Sequence, residues 1–204
     1  MRYATIHTRI RFLILIVLLP ILALTLTACY TITLKETRVD GIGSAISVKL
    51  PGNLQRLDLP IPVPPTAKPY YEGSRLYGEL DAGLSIAVYT TRVDIKTMAT
   101  DLQLKEDEAV RHHLNGTIET ASKAVLSQIN AEDISTSQEE TTFQGLPAII
   151  QTATFTREKK SMRARLLGFS DGPVTWIVVV ACDSDKEDKI KLADEVLDSV
   201  RLQP

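Results

Sequence analysis

Cysteine is scarce: the 204-residue chain holds two, Cys29 and Cys182. Two thiols cannot supply the disulfide framework that staples small secreted domains, so the fold must depend on an apolar core. Histidine is almost as rare, with His7 near the N-terminus and His112 and His113 side by side. Neighbours on a helix point about 100° apart, so this pair cannot ligate a metal as residues at i and i+4 do. Both lie away from the apolar stripe described below and read as exposed, the alternative being a weak metal site shared with Glu108 or a second chain. Nucleophilic hydrolysis needs a base oriented by a third group, and the sequence offers no such set. Nor are there well-placed paired carboxylates of the glycosidase kind. Glu106, Asp107 and Glu108 fan around one helical turn, and Glu139 and Glu140 point to opposite faces of a strand. Gly41-Ile42-Gly43-Ser44 lacks the remaining spacing and the following helix of a phosphate-binding loop. The expectation is a protein that is not an enzyme and has no cofactor.

Acidic residues are missing altogether before Cys29, whereas Arg2, Arg9 and Arg11 are present there. A cationic start, an apolar middle and small residues at the cut make a secretory signal. Phe12 to Leu19 and Ile21 to Leu26 form the middle, interrupted by Pro20, and the arginines hold the N-terminus on the cytoplasmic side. Leu26-Thr27-Ala28-Cys29 then resembles the lipobox of bacterial lipoproteins. On this reading cleavage falls between Ala28 and Cys29, and the Cys29 thiol carries a diacylglyceryl group. An uncleaved membrane helix is the alternative, although the apolar run is short for a span of about 20 residues. Either way the remainder lies outside the cytoplasm, facing the periplasm or the exterior. Tyr30 follows the lipid site in place of an aspartate, which leans towards the outer membrane if the organism has one.

Processing after residue 28 leaves 204 − 28 = 176 residues, enough for one core. It removes all three signal arginines, so 23 − 3 = 20 basic residues face 25 acidic ones, about −5. A mildly acidic domain argues against nucleic acid as a partner. Cys182 continues the apolar alternation Trp176, Val178, Val180 and reads as a buried small hydrophobe.

The expected organisation is a signal peptide over 1–28, a short tether over 29–43 and one domain over 44–204. Thr31 to Thr37 reads as a short strand or an extended lead-in, and Ile46, Val48 and Leu50 as a strand ended at Pro51-Gly52. Five prolines between 60 and 69 predict an extended loop, neither strand nor helix. Tyr70 to Leu80 and Leu84 to Val93 flank Asp81-Ala82-Gly83 as a hairpin. From about Leu102 to Ile129 the period turns helical, with Val110, Leu114, Ile118, Ala121, Val125 and Ile129 in one stripe and Gly116 as a point of kink or break. Residues 133–142 read as a polar edge-like strand, Ala148 to Thr156 and Met162 to Phe169 as further strands. Val174 to Ala181, apolar on both faces, is the candidate central strand. Ser184 and Glu187 suggest a capping box opening a helix that runs to about Ser199. Strands and helices joined by hairpins predict an α+β domain, an antiparallel sheet covered by helices.

The order of these elements resembles the PsbP-like domains, a group that includes small bacterial lipoproteins of the DcrB type. The residues that carry it are Ile46 to Pro51 at the start, the lead-in Phe143-Gln144-Gly145-Leu146-Pro147-Ala148, and Leu197 to Leu202 at the close. The resemblance implies an α/β/α sandwich and a non-catalytic accessory role, often bound to a larger membrane assembly. It carries no site residue with it.

One polar cluster stands out on the acidic domain: Arg157, Lys159, Lys160, Arg163 and Arg165 around a single hairpin. Each near-surface cation contributes about 1 kcal/mol towards an anionic membrane, although lysines also serve to blunt a strand edge. Three functions follow in order of preference. The first is a lipid-anchored envelope protein that binds a protein partner at the membrane. The second is a module for an anionic lipid or envelope polymer, and the third an envelope hydrolase.

Overall fold

The computed structural model describes residues 32–58, 63–81 and 84–203. The lipobox, with Ala28 and Cys29, lies outside the described residues, as do Ala82 and Gly83 of the first hairpin. In chain order the elements are β1 (Lys35–Asp40), β2 (Ala45–Leu50), β3 (Gln55–Arg56), β4 (Tyr71–Asp81), β5 (Leu84–Val93), α1 (Ile95–Asp101) and α2 (Glu106–Gln128). There follow β6 (Glu132–Phe143), β7 (Leu146–Arg157), β8 (Lys160–Asp171), β9 (Val174–Asp183), α3 (Glu187–Asp198) and β10 (Arg201–Gln203).

Two sheets result, with strand orders β1-β2-β10 and β3-β4-β5-β9-β8-β7-β6. Every pairing in them is antiparallel, as the α+β reading expects. The doubly apolar run becomes β9, the middle strand of seven, because only a strand covered on both faces can bury both sets of side chains. On one face Ile86, Val88, Trp176, Val178 and Val180 pack with Ile46, Val48 and Leu50 of β2 and with Val196 and Leu197 of α3. On the other, Tyr89, Ile149, Leu166 and Ile177 pack with Leu114 and Ile118 of α2. Trp176 is fully buried, and its indole N–H donates to Ser44 Oγ at 3.0 Å, so its one polar group is satisfied.

Several boundaries differ from the sequence reading. Leu34 to Pro204 forms one compact unit, and β1 pairs along its whole length with β2, so residues assigned to the tether belong to the domain. Helix α1 was hidden by its shortness; Asp94 caps it by accepting from the Thr97 backbone N–H at 3.1 Å. The long helix begins at Glu106 and runs unbroken through Gly116. Its start is fixed by the Lys105 backbone N–H donating to Glu108 Oε2 at 3.1 Å and by three acids in its first turn, which suit the dipole. Lys186, not Ser184, precedes α3; the Ser184 hydroxyl instead donates to Ser161 Oγ at 2.6 Å. The proline segment ends in a 3₁₀ turn, Lys68–Tyr70, with Pro69 in the first turn, where its missing N–H costs nothing.

Candidate functional site: an apolar cleft under the long helix

Helix α2 comes nearest the sheet over Gly168. A Cβ built there would lie 2.5 Å from Ile118 Cδ1, so only glycine lets the helix sit so close. Leu114 and Ile118 are therefore buried, but the stripe opens further along, and Val125 is 45% exposed.

Beneath this second half the sheet carries a row of small side chains. Ser85 pairs with Ala181, Ala181 with Ala164, and Ala164 with Ala153, so the row crosses β5, β9, β8 and β7 in one line. Larger residues flank it, Val179 and Leu166 one register step away and Met162 and Phe155 on the other side. The result is a trough running across the strands, roughly 14 Å long for four strands at about 4.8 Å spacing. Ala121, Val125 and Leu126 of α2, with Ile129 at its C-terminal cap, roof it over a cavity of about 170 Å³. The walls are almost wholly apolar. Ser85, Ser122 and Gln151 are polar, and the Ser122 hydroxyl donates to Gln151 Oε1 at 2.6 Å. Arg157 is the one charged residue of the lining.

The five cations of the hairpin are divided between the two faces of the sheet. Arg157 and Lys160 face each other in the ladder and share the α2 face with Phe155 and Met162, because side chains two apart project the same way. Arg163 and Arg165 project to the α3 face, where Arg165 pairs with Asp194. Lys159 lies in the turn with φ of +65°. Only Arg157 of the set lines the cleft, and its guanidinium is 3.9 Å from Glu158.

His113 departs from the expectation. His112 is exposed, but His113 is 2% exposed, because α2 packs on two sides. The sheet covers the Leu114–Ile118 side, while α1 and the proline segment cover the side of Ala109 and Val110, with Ala67, Met98 and Val63. Burial, and then the neighbouring His112, pushes the His113 imidazole down to about 4. Its Nδ1 lies 3.4 Å from Thr117 Oγ1, and Nε2 has no hydrogen-bond partner. Burial likewise pushes the Tyr89 phenol up to about 12. Cys182 is 2% exposed on the α3 face, and burial raises its thiol against the opposing influence of Arg163. That is the setting of an inert thiol. Among the described residues, no three His, Cys, Asp or Glu side chains converge as a metal site, and no helix is long and apolar enough to cross a membrane.

The small-residue row was out of reach of the sequence reading. Ala153, Ala164 and Ala181 lie on three different strands, and only the pairing register aligns them.

No family model and no curated protein matches the chain. Among solved structures it is similar to LpqN of Mycobacterium tuberculosis, described as involved in cell envelope biogenesis, at 13% identity over 84% of this chain and 92% of that one, with a TM-score of 0.42. A protein from Bacteroides thetaiotaomicron matches at 11% identity and a TM-score of 0.42 over 78% of this chain, which spans 45% of that protein's length. A Pseudomonas aeruginosa protein of unknown function matches at 10% identity and 0.33, over 78% and 94%. At these scores the likenesses carry no argument about function. None of the three bears a PsbP-like or DcrB-type description, so that resemblance rests on element order and the local motifs named above.

Proposed function

We propose that this protein is a non-enzymatic envelope lipoprotein, tethered through lipid on Cys29, whose domain receives an apolar group in the cleft under α2. The trough Ser85–Ala181–Ala164–Ala153 and its roof carry the reading. An apolar cavity of ~150 Å³ already takes up benzene and stays dry without it; the cleft is of that order and open at one side. Each buried methylene of a ligand contributes about 0.8 kcal/mol, so even a short chain seated here is held usefully. The lipobox supports the address. Two acyl chains give stable anchoring where one gives reversible binding, so lipid on Cys29 holds the protein at a membrane, itself a source of apolar ligands.

Filling the trough tests this. The protein purified from membranes is extracted and its bound apolar molecules identified by mass spectrometry, in parallel with Ala164→Phe. The native chain is expected to carry ligand that the variant has lost, at unchanged melting temperature. Equal extracts from the two would remove the cleft from the account.

A protein partner is the second reading. It is favoured by Val125 and Ile134, 45% and 48% exposed, which offer apolar contact on the outside of the same region. In that reading a membrane-bound protein inserts an apolar side chain into the cleft, and no small ligand is extracted. Cross-linking in intact cells distinguishes the two.

A further inference from the structure

The lining of the cleft is mostly apolar, and its one charged residue among those described is Arg157 on β7, two same-face positions beyond Ala153, with Lys160 opposite in the ladder on the same face. The trough runs across four strands, so its long axis suits a slender chain better than a compact ring system. The Ser122 hydroxyl donates to Gln151 Oε1, and the charged chemistry of the lining is cationic. Two acids lie nearby: Glu158, 3.9 Å from the guanidinium, and Asp183, which follows Ala181 by two residues and pairs with Met162. Arg157 retains 44% side-chain exposure and its contact with Glu158 is long for an ion pair, so the guanidinium has donors to spare for a second anion.

Resting on the cleft reading above, we infer that the ligand is a single-chain anionic amphiphile. Its acyl chain lies along the row Ser85–Ala181–Ala164–Ala153, and its acidic head is bound by Arg157. A carboxylate or phosphate head suits the planar fork of arginine, which binds either through two parallel hydrogen bonds. The tail supplies most of the affinity and the head sets the preference and the direction of entry.

Photolabelling of the full lipidated chain in zwitterionic nanodiscs tests this. Two probes are compared at equal concentration, a diazirine-bearing medium-chain fatty acid and the corresponding fatty alcohol, and labelled peptides are mapped. Both are expected to label α2 and β8, the acid about fivefold more, which is the size of one exposed ion pair. Arg157→Gln should bring the acid-to-alcohol ratio to about one, and Glu158→Gln should raise it above the native value. Equal labelling by the two probes in the native chain, or an undiminished ratio in Arg157→Gln, overturns the anionic head while the cleft stands. Preference for a carboxylate head is separated from preference for a phosphate head by repeating the comparison with an alkyl phosphate probe. Absence of cleft labelling by either probe overturns both this inference and the reading beneath it.

Discussion

His113 shows what a single buried titratable group does to a small domain. In the unfolded chain its imidazole titrates near 6.5 and in the fold near 4, because burial penalises the cation. A depressed histidine contributes stability that is fully present above 6.5 and is lost as pH falls towards 4, up to about 3 kcal/mol. Urea titrations between pH 7 and pH 5 should show falling stability, and His113→Leu should flatten that slope; an unchanged slope would contradict the buried neutral imidazole. The sequence did not reveal this burial, because one apolar stripe identifies one contact face and α2 has two. Gly168 was equally silent. Its Cβ-free surface matters only because Ile118 rests on it, and Gly168→Ala is predicted to cost about 1–3 kcal/mol in chemical denaturation by overpacking.

At the scale of elements, α2 illustrates a local rule overridden by its surroundings. Gly116 predicted a kink, yet the helix is continuous, held by the apolar stripe on the sheet and by the contacts with α1 and the proline segment. A Cβ at Gly116 would meet Pro64 at 3.5 Å, an ordinary contact. Gly116→Ala therefore should stabilise by about 0.5–1 kcal/mol through helix propensity and raise Tm by roughly 2–4 °C in thermal melts. A loss of stability would mean that the helix needs the glycine's freedom. The strands were easier to read. Val174 to Ala181 had to be central because both its faces are apolar, and residues 133–142 had to be an edge because neither is. The short sheet was legible only in part: the alternation of Ile46, Val48 and Leu50 marks β2, but β10 has three residues, too few for any alternation, and β1 exposes most of one face.

At the scale of the whole molecule, the proposed function joins an address expected from residues 26–29 to a cleft in the domain. Cys29→Ala is expected to abolish incorporation of labelled glycerol and to release or mislocalise the protein; label retained by the variant would refute the lipid anchor. This expectation rests on composition and on Leu26-Thr27-Ala28-Cys29, since a signal sequence works through charge and hydropathy along the chain. The cleft was not readable, since it exists only where the pairing register of four strands aligns Ser85, Ala181, Ala164 and Ala153 beneath α2. Its occupancy is best tested by methyl NMR of the alanine-labelled protein during titration with decanol. Saturable shifts are expected at Ala153, Ala164 and Ala181, with Ala45 and Ala193 on the opposite side unmoved. Unmoved floor methyls, or shifts confined to Ala45 and Ala193, would contradict occupancy of the cleft.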